Sequence, residues 1–366
     1  NIYEFKDYKI LSSLPITGKN KVGYNELFLK SKKLDSNNKN FSLIFDNVLT
    51  NDDLAKIMDT SNEWIVERTG INERRHIVKG SDDSPSTMAF KASKIALNRA
   101  GIKASELDMI LFATLSPDLY FPGSGVLLQE LLGISSCPSM DIRMQCSGFI
   151  YSIATADQFI KSGMYKNILV VGAENHSGGL DMSSRGRAVS VIFGDGAGAA
   201  VLTRENDKNF GIKSSHLYSE GKYAKELSLI GPSTQRWVPE IMDVNDPNDE
   251  SYFPYMNGQM VFKHAITRFT EVINEGLASN KWKSEDIDLL IPHQANLRIS
   301  QFVQKKFGLT DSQVYNNIMN YGNTTAASIP IALTEAWEKN KVKHGDKVVL
   351  AAFGSGFTWG STMIVW

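Results

Sequence analysis

Short apolar runs alternate along this chain with longer stretches in which apolar residues recur every three or four positions. The first pattern predicts buried strands and the second amphipathic helices, so together they predict an α/β architecture with mostly buried sheets. The most apolar runs, 168–173 and 348–353, are far shorter than the roughly 20 residues needed to cross a bilayer and read as strands. No membrane span is expected.

The alternation repeats. Ser105-Glu-Leu-Asp-Met-Ile-Leu-Phe-Ala-Thr114 and Ser284-Glu-Asp-Ile-Asp-Leu-Leu-Ile-Pro-His293 each follow an amphipathic helix, with Asp288 standing 180 positions after Asp108. The strand Ile168-Leu-Val-Val-Gly172 is followed at the same offset by Val348-Val-Leu-Ala-Ala352. Two equal offsets predict duplicated halves whose corresponding positions face each other across a pseudo-twofold axis. The offset carries Cys146 to Ala326, three residues past Asn323. Phe149, Ile150, Ile153, Ala156 and Ile160 form a helical stripe after Cys146, and Gly163 supplies its C-terminal cap. Ile329, Leu333, Ala336 and Trp337 form a similar stripe, with Pro330 marking where that helix begins.

Composition narrows the picture. A chain of 366 residues can hold two domains or one large two-lobed one, and a net charge of -1 leaves no basic footprint for nucleic acid. Two cysteines, Cys137 and Cys146, read as reduced thiols of a cytosolic protein rather than a disulfide framework. Residues 1–9 lack the basic start and apolar block of a signal peptide, so a cytoplasmic location is expected. The lysine- and asparagine-rich stretch 29–40 reads as a solvated loop.

Among chemically able residues, Cys146 stands at a helix start, where unpaired N–H groups and the positive dipole end ease ionisation of a thiol. The competing reading is a small buried hydrophobe, the usual fate of a free cysteine and the one assigned to Cys137. His293 ends an apolar strand and opens a polar run, a position where α/β sheets collect active-site groups. A histidine satisfied by backbone partners fits that place equally well. Asn323 lies in Tyr321-Gly-Asn-Thr-Thr-Ala-Ala-Ser328, which suits a turn and N-cap as well as catalysis. His76, His176, His216, His264 and His344 share no spacing and read as structural or surface residues, and no metal-ligand cluster emerges. The glycines of Gly194-Asp-Gly-Ala-Gly-Ala199 loosely match a dinucleotide loop, but a strand resumes at Ala200, so a hairpin or close backbone crossing is expected instead.

Six segments in order carry a resemblance: Thr60-Ser-Asn-Glu-Trp-Ile-Val-Glu-Arg-Thr-Gly-Ile71, Cys146-Ser-Gly-Phe149, Ile192-Phe-Gly-Asp-Gly-Ala-Gly-Ala-Ala200, Pro292-His-Gln-Ala-Asn-Leu-Arg298, Gly322-Asn-Thr-Thr-Ala-Ala-Ser328 and Phe353-Gly-Ser-Gly-Phe-Thr-Trp-Gly360. Over residues 49–366 the chain resembles β-ketoacyl-acyl-carrier-protein synthase III. The resemblance implies a thiolase-like fold of two pseudo-symmetric halves in a layered α-β-α-β-α core. Residues 1–47 would be a divergent N-terminal segment, 48–205 the half with the nucleophile and 206–366 the half with the histidine and asparagine.

It also implies a cytoplasmic homodimeric acyltransferase of fatty-acid biosynthesis that binds no permanent cofactor, coenzyme A and an acyl carrier protein entering with its substrates. Cys146 would take an acyl group from acyl-CoA, and His293 and Asn323 would assist a decarboxylative Claisen condensation with malonyl-acyl-carrier protein. The N–H groups of Cys146 and Ser355 would form the oxyanion hole. Trp64, Arg68, Arg185 and Asn296 would contact CoA, Phe121 would close the acyl pocket across the dimer, and Gln294, Ala295, Asn296, Leu297 and Arg298 would meet the carrier protein. The long side chains of Arg143-Met-Gln145, Ser355 beside the oxyanion hole and the long 228–255 connection depart from the family pattern. They keep open a specialised condensing enzyme for longer or unusual acyl groups. A non-catalytic carrier-binding dimer partner and a papain-like Cys-His-Asn hydrolase are the readings from other classes.

Overall fold

A computed structural model describes residues 8–10, 47–231, 233 and 250–366. The first half opens with β1 (Tyr8–Ile10), β2 (Val48–Thr50), α1 (Asn51–Ala55), α2 (Asn62–Thr69) and β3 (Glu73–Arg75). It continues through α3 (Pro85–Ala100), β4 (Met109–Ala113), α4 (Ser124–Leu131), β5 (Ser139–Ile142), α5 (Gly148–Lys161), β6 (Asn167–Glu174), α6 (Arg187–Ser190) and β7 (Gly196–Arg204). The second half holds β8 (Gly211–Ser219), β9 (Leu227–Ser228), β10 (Tyr255–Met256), α7 (Gly258–Asn280), β11 (Leu289–Pro292) and α8 (Leu297–Phe307). It ends with α9 (Ile318–Tyr321), α10 (Ser328–Glu338), β12 (Lys347–Gly354) and β13 (Thr358–Val365).

Two mixed sheets form the frame. One has the order β1-β7-β6-β4-β5 and the other β11-β12-β13-β8. β4 runs parallel to both neighbours and is buried along its whole length, which is why Met-Ile-Leu-Phe-Ala is uninterrupted by polar residues. α5 and α10 lie between the sheets: Phe149, Ile153 and Ile160 share one core with Ile329, Leu333 and Ala336 and with Leu111, Val170 and Leu350 of the strands. α3 and α4 cover the outer face of the first sheet, and α7 and α8 that of the second. The result is the expected α-β-α-β-α layering.

The 180-residue offset reaches individual hydrogen bonds. Asp108 Oδ2 accepts the Asn167 N–H at 2.9 Å, and Asp288 Oδ2 accepts the Lys347 N–H at 2.8 Å. Each carboxylate thereby pins the start of one parallel strand to its neighbour. α5 and α10 are each preceded by a single 3-10 turn, and Gln145 and Thr325, again 180 apart, both take left-handed φ values of 45° and 47°. Neither is glycine, so both turns hold a strained conformation that the surrounding packing must enforce. α10 begins at Ser328, so Pro330 lies inside its first turn, where its missing N–H forfeits no helical bond. The symmetry breaks after β6 and β12. β12 turns tightly into β13, whereas β6 is joined to β7 by 175–195, and Leu180, Val191, Ile192 and Phe193 from that stretch pack against α1 and α2.

The N-terminal segment contributes one strand to the frame. Tyr8–Ile10, set aside with the divergent segment 1–47, pairs antiparallel with β7 and belongs to the first sheet. The loop expected at 29–40 and most of the 228–255 connection lie outside the described residues. The glycines from Gly194 mark a close backbone crossing: a Cβ on Gly198 would fall 2.8 Å from Pro330 Cβ, and β7 resumes as expected. Among the described residues no helix is long and apolar enough to cross a membrane.

Candidate active site

Cys146 sits in the 3-10 turn that opens α5, 6% exposed. Burial pushes its thiol up to about 12 and the Glu174 carboxylate adds to that push; its own N–H, the Thr325 hydroxyl and the Ser355 N–H act in the opposite direction. The end of β12 is packed against it, for a Cβ on Gly354 would lie 2.6 Å from Cys146 Cβ and 3.1 Å from Sγ. Only glycine leaves room for the sulfur at this crossing.

His293 follows β11 and is held there by its N–H to Ala351 O at 2.8 Å. It is 3% exposed, and burial with the neighbouring His176 lowers its pKa to about 3, so the ring is neutral. Nδ1 lies 2.6 Å from Ser328 Oγ, which also accepts the Gln294 N–H at 3.5 Å. A Ser328 hydroxyl that donates to Nδ1 leaves the ring proton on Nε2, and Nε2 is buried without a partner in the protein. Asn323 is 5% exposed and tied on three sides: its N–H goes to Ile192 O, its carbonyl accepts the Gly194 N–H, and its Oδ1 accepts the Thr325 N–H at 2.8 Å. With Oδ1 committed, the amide NH2 is the donor end of the side chain.

The turn 325–327 is what these groups share. Its Thr325 acts on Cys146, its N–H is capped by Asn323, and Ser328 just after it holds His293. A Cβ on Gly148 would stand 3.4 Å from Ala326 Cβ, so the two pseudo-symmetric helix starts do meet. Behind them Glu174 ends β6 fully buried. Burial raises its carboxyl to about 7 against the Ser116 hydroxyl, the Leu115 N–H, the Thr114 hydroxyl and the Ala326 N–H, which draw it down. Among the described residues no group of three or more His, Cys, Asp or Glu is placed to hold a metal ion.

Further out, Trp64 is flanked by two guanidinium groups, Arg68 at 4.6 Å and Arg187 at 4.9 Å from the ring centroid. Arg185 is not one of them: its Nε is drawn to Asp181 Oδ2 at 2.6 Å and its guanidinium lies over Phe253. Asn296 caps α8 through the Arg298 N–H and donates to Arg68 O at 2.8 Å, so it braces the Trp64 helix. Gln294 does not face outward. It is buried, with its amide bound to Pro292 O and Tyr315 O and its Oε1 accepting from Asn317 and Ile318. Leu297 packs beneath Gly70 and Ala295 against the second core, leaving Arg298 as the exposed member of 294–298. Phe121 is 81% exposed beside Tyr120, two residues before Gly123, which packs on Asp141 of the edge strand β5. Arg143 is exposed and Met144 half-buried next to the Cys146 turn.

His176, Thr325, Ser328, Glu174 and Arg187 were not singled out from sequence. The 180-residue offset pairs Thr325 with Gln145, beside Cys146, and is the signal that could have found it; the others come from loops or strand ends with no periodic mark.

Comparison with known proteins bears out the family resemblance read from the sequence. Residues 140–221 match the family model for 3-oxoacyl-[acyl-carrier-protein] synthase III and 277–366 match that of its C-terminal part. The β-ketoacyl-[acyl-carrier-protein] synthase III of Aliivibrio fischeri is 42% identical over 317 residues, covering 87% of this chain and 95% of the relative. That of Caldanaerobacter subterraneus is 43% identical, covering 89% and 96%. The crystal structure of 3-oxoacyl-[acyl-carrier-protein] synthase III from Aquifex aeolicus superposes with a TM-score of 0.80 at 42% identity over 88% of this chain and 97% of that one. Matched in both halves and along nearly the whole length of these relatives, the chain belongs to the β-ketoacyl-[acyl-carrier-protein] synthase III family.

Proposed function

We propose that the protein condenses an acyl group held on Cys146 with a malonyl thioester on an acyl carrier protein, releasing CO2. The observation that carries this reading is the pair of oriented donors. Asn323 Oδ1 is committed to the Thr325 N–H, which leaves its NH2 as donor, and with the Ser328 hydroxyl donating to Nδ1 the His293 ring carries its proton on the unpartnered Nε2. Loss of CO2 from a malonyl thioester leaves an enolate, and two neutral N–H donors stabilise its oxygen without any proton transfer.

In the first half-reaction Cys146 Sγ attacks the thioester carbon of acyl-CoA. The S–CoA bond breaks and the thiol proton leaves with the CoA sulfur. The N–H groups of Cys146 and Ser355, which already act on the sulfur, receive the carbonyl oxygen as it gains charge. In the second, the malonyl carboxylate departs as CO2 and the enolate carbon attacks the acyl-enzyme. Cys146 leaves as thiolate and takes a proton from solvent. Trp64 with Arg68 and Arg187 offers a π-face and two cations to the nucleotide end of CoA, and Arg298 offers a cation to the carrier. The working unit is a homodimer across the β5 edge, where Leu119, Tyr120 and Phe121 are otherwise left exposed.

Intact-mass measurement after incubation with acyl-CoAs of increasing chain length tests the assignment. One acyl mass on the wild type and none on Cys146→Ser is expected, followed by CO2 and a β-ketoacyl product on adding malonyl-carrier protein. Acyl-CoA hydrolysis without condensation contradicts it. The chain-length panel separates an initiating enzyme for short acyl groups from one specialised for long ones.

A further inference from the structure

A row of buried polar side chains runs from the loop after β6 to the Cys146 turn, and its first member has no part in the chemistry above. His176 is buried, its N–H bound by Asp195 Oδ1 at 2.6 Å and its ring lying 4.7 Å from that of Phe193. Thus oriented, its Nε2 stands 2.8 Å from Thr325 Oγ1. Thr325 is fully buried, fixed by its left-handed backbone and by the bond from its N–H to Asn323, and its turn packs directly on the turn that carries Cys146.

A hydroxyl has one hydrogen to give. Burial keeps His176 neutral, so its ring also carries one proton, and the two tautomers make opposite arrangements. With the proton on Nδ1, Nε2 takes the Thr325 hydrogen and the sulfur meets an oxygen lone pair. With the proton on Nε2, the ring donates to Thr325 and the hydroxyl hydrogen is free for the sulfur. We propose that His176 is a positioning residue for the nucleophile: its Nε2–H donates to Thr325 Oγ1, and the hydroxyl hydrogen is thereby turned onto Cys146 Sγ.

A thiolate accepts hydrogen bonds and donates none, so ionisation of Cys146 selects the Nε2–H tautomer. The charged or titratable groups facing the imidazole are Asp195, His76 and His293, with Glu174 two residues before it on β6. Asp195 is occupied by the N–H groups of Ile77, His176 and Ser177, and the two other histidines are held neutral by burial, so none displaces the Thr325 bond.

The inference rests on Cys146 as nucleophile, and its test reads the sulfur without an acyl donor. The rate of Cys146 alkylation by iodoacetamide is followed against pH for wild type, His176→Leu, His176→Gln, Thr325→Val and the Leu/Val double variant, with thermal melts of each. Without the His176 donor the Thr325 hydroxyl is no longer held on the sulfur, and losing that orientation lowers alkylation in His176→Leu by about tenfold below the midpoint, a rise of about one pH unit. His176→Gln, which keeps an N–H donor, stays near wild type, and the double variant is no slower than Thr325→Val. An unchanged profile in His176→Leu, or losses that add in full, overturns the proposal. Should His176→Leu fail to fold, 15N spectra of histidine-labelled wild type decide: a protonated Nε2 is expected, and a protonated Nδ1 overturns it. Failure of acyl-CoA to label Cys146 while alkylation behaves as stated would sink the catalytic assignment and leave the relay standing.

Discussion

Replacing Gly354 by alanine adds one methyl group beside Cys146, the proposed nucleophile, and tests the site through its packing. The new Cβ would lie 2.6 Å from Cys146 Cβ and 3.1 Å from both its N and Sγ. Carbon atoms rest about 3.5–4.0 Å apart, so the two residues must separate by about 1 Å. No rotamer relieves this, because both Cβ atoms are fixed to backbone. Gly354 is tied into the β12–β13 ladder opposite Thr358, and Cys146 follows Gln145 in its left-handed turn. Crowding of this kind costs about 1–3 kcal/mol of stability. The larger effect falls on rate, since a displacement of about 1 Å at a reacting atom costs about 10²-fold. The Ser355 N–H moves with Gly354, so the proposed oxyanion donor is displaced together with the sulfur. The assay is the time course of acyl-enzyme formation at saturating acyl-CoA, read by intact mass beside a thermal melt. Gly179→Ala, which meets no atom within 4 Å, is the control. A Gly354→Ala protein that folds and acylates at the wild-type rate would refute the packing argument and the placement of Cys146 against β12.

His293→Ala and Asn323→Ala should each lower malonyl decarboxylation by about 10²–10³ while slowing acylation of Cys146 much less, measured as 14CO2 release against acyl-enzyme mass. Arg187→Ala should raise KM for acyl-CoA several-fold and leave KM for the matching acyl-pantetheine unchanged, since the guanidinium stacks on Trp64 away from the thioester. His293 and His176 titrate near 3 and 4 in the folded protein, below their ordinary 6.5, so the unfolded chain binds their protons first. The stability this confers is present above pH 6.5 and is lost as the pH falls toward 4, and denaturant midpoints should drop between pH 7.5 and 5.5. Glu174, raised to about 7 from 4.5, works the other way over the same interval, so Glu174→Gln should steepen the drop.

The frame of this protein was legible because it depends on periodicity. Strands buried on both faces must be continuously apolar, as in β4 and β12, and a helix between two sheets must carry the stripe of Phe149, Ile153 and Ile160. The repeat of Asp108 at Asp288 needed no structure to be seen, and it led to Ala326 and thence to the turn that gathers the site. Roles set by orientation were hidden. Gln294 looks like part of a polar, exposed run, yet its amide is consumed by four backbone groups under the surface. Arg185 and Arg187 are equivalent in sequence; the carboxylate of Asp181 decides which of them turns away from Trp64. His176 looked like an ordinary loop histidine because nothing in a linear pattern shows that Thr325 lies across from it.

The last strand residues of the two parallel-strand units, Glu174 and Gly354, occupy equivalent places 180 residues apart. One carries a carboxyl group with a cage of donors around it; the other carries no side chain at all, and the vacated volume is where the thiol of Cys146 resides. The duplicated backbone has therefore been turned to a division of labour, in which one copy fills the position to brace the loop at Thr114–Ser116 and the other empties it to admit the Cys146 sulfur. Neither half can any longer stand in for the other: doubling the first would keep the brace but fill the space that Cys146 occupies, and doubling the second would keep the empty position and lose both the brace and the thiol.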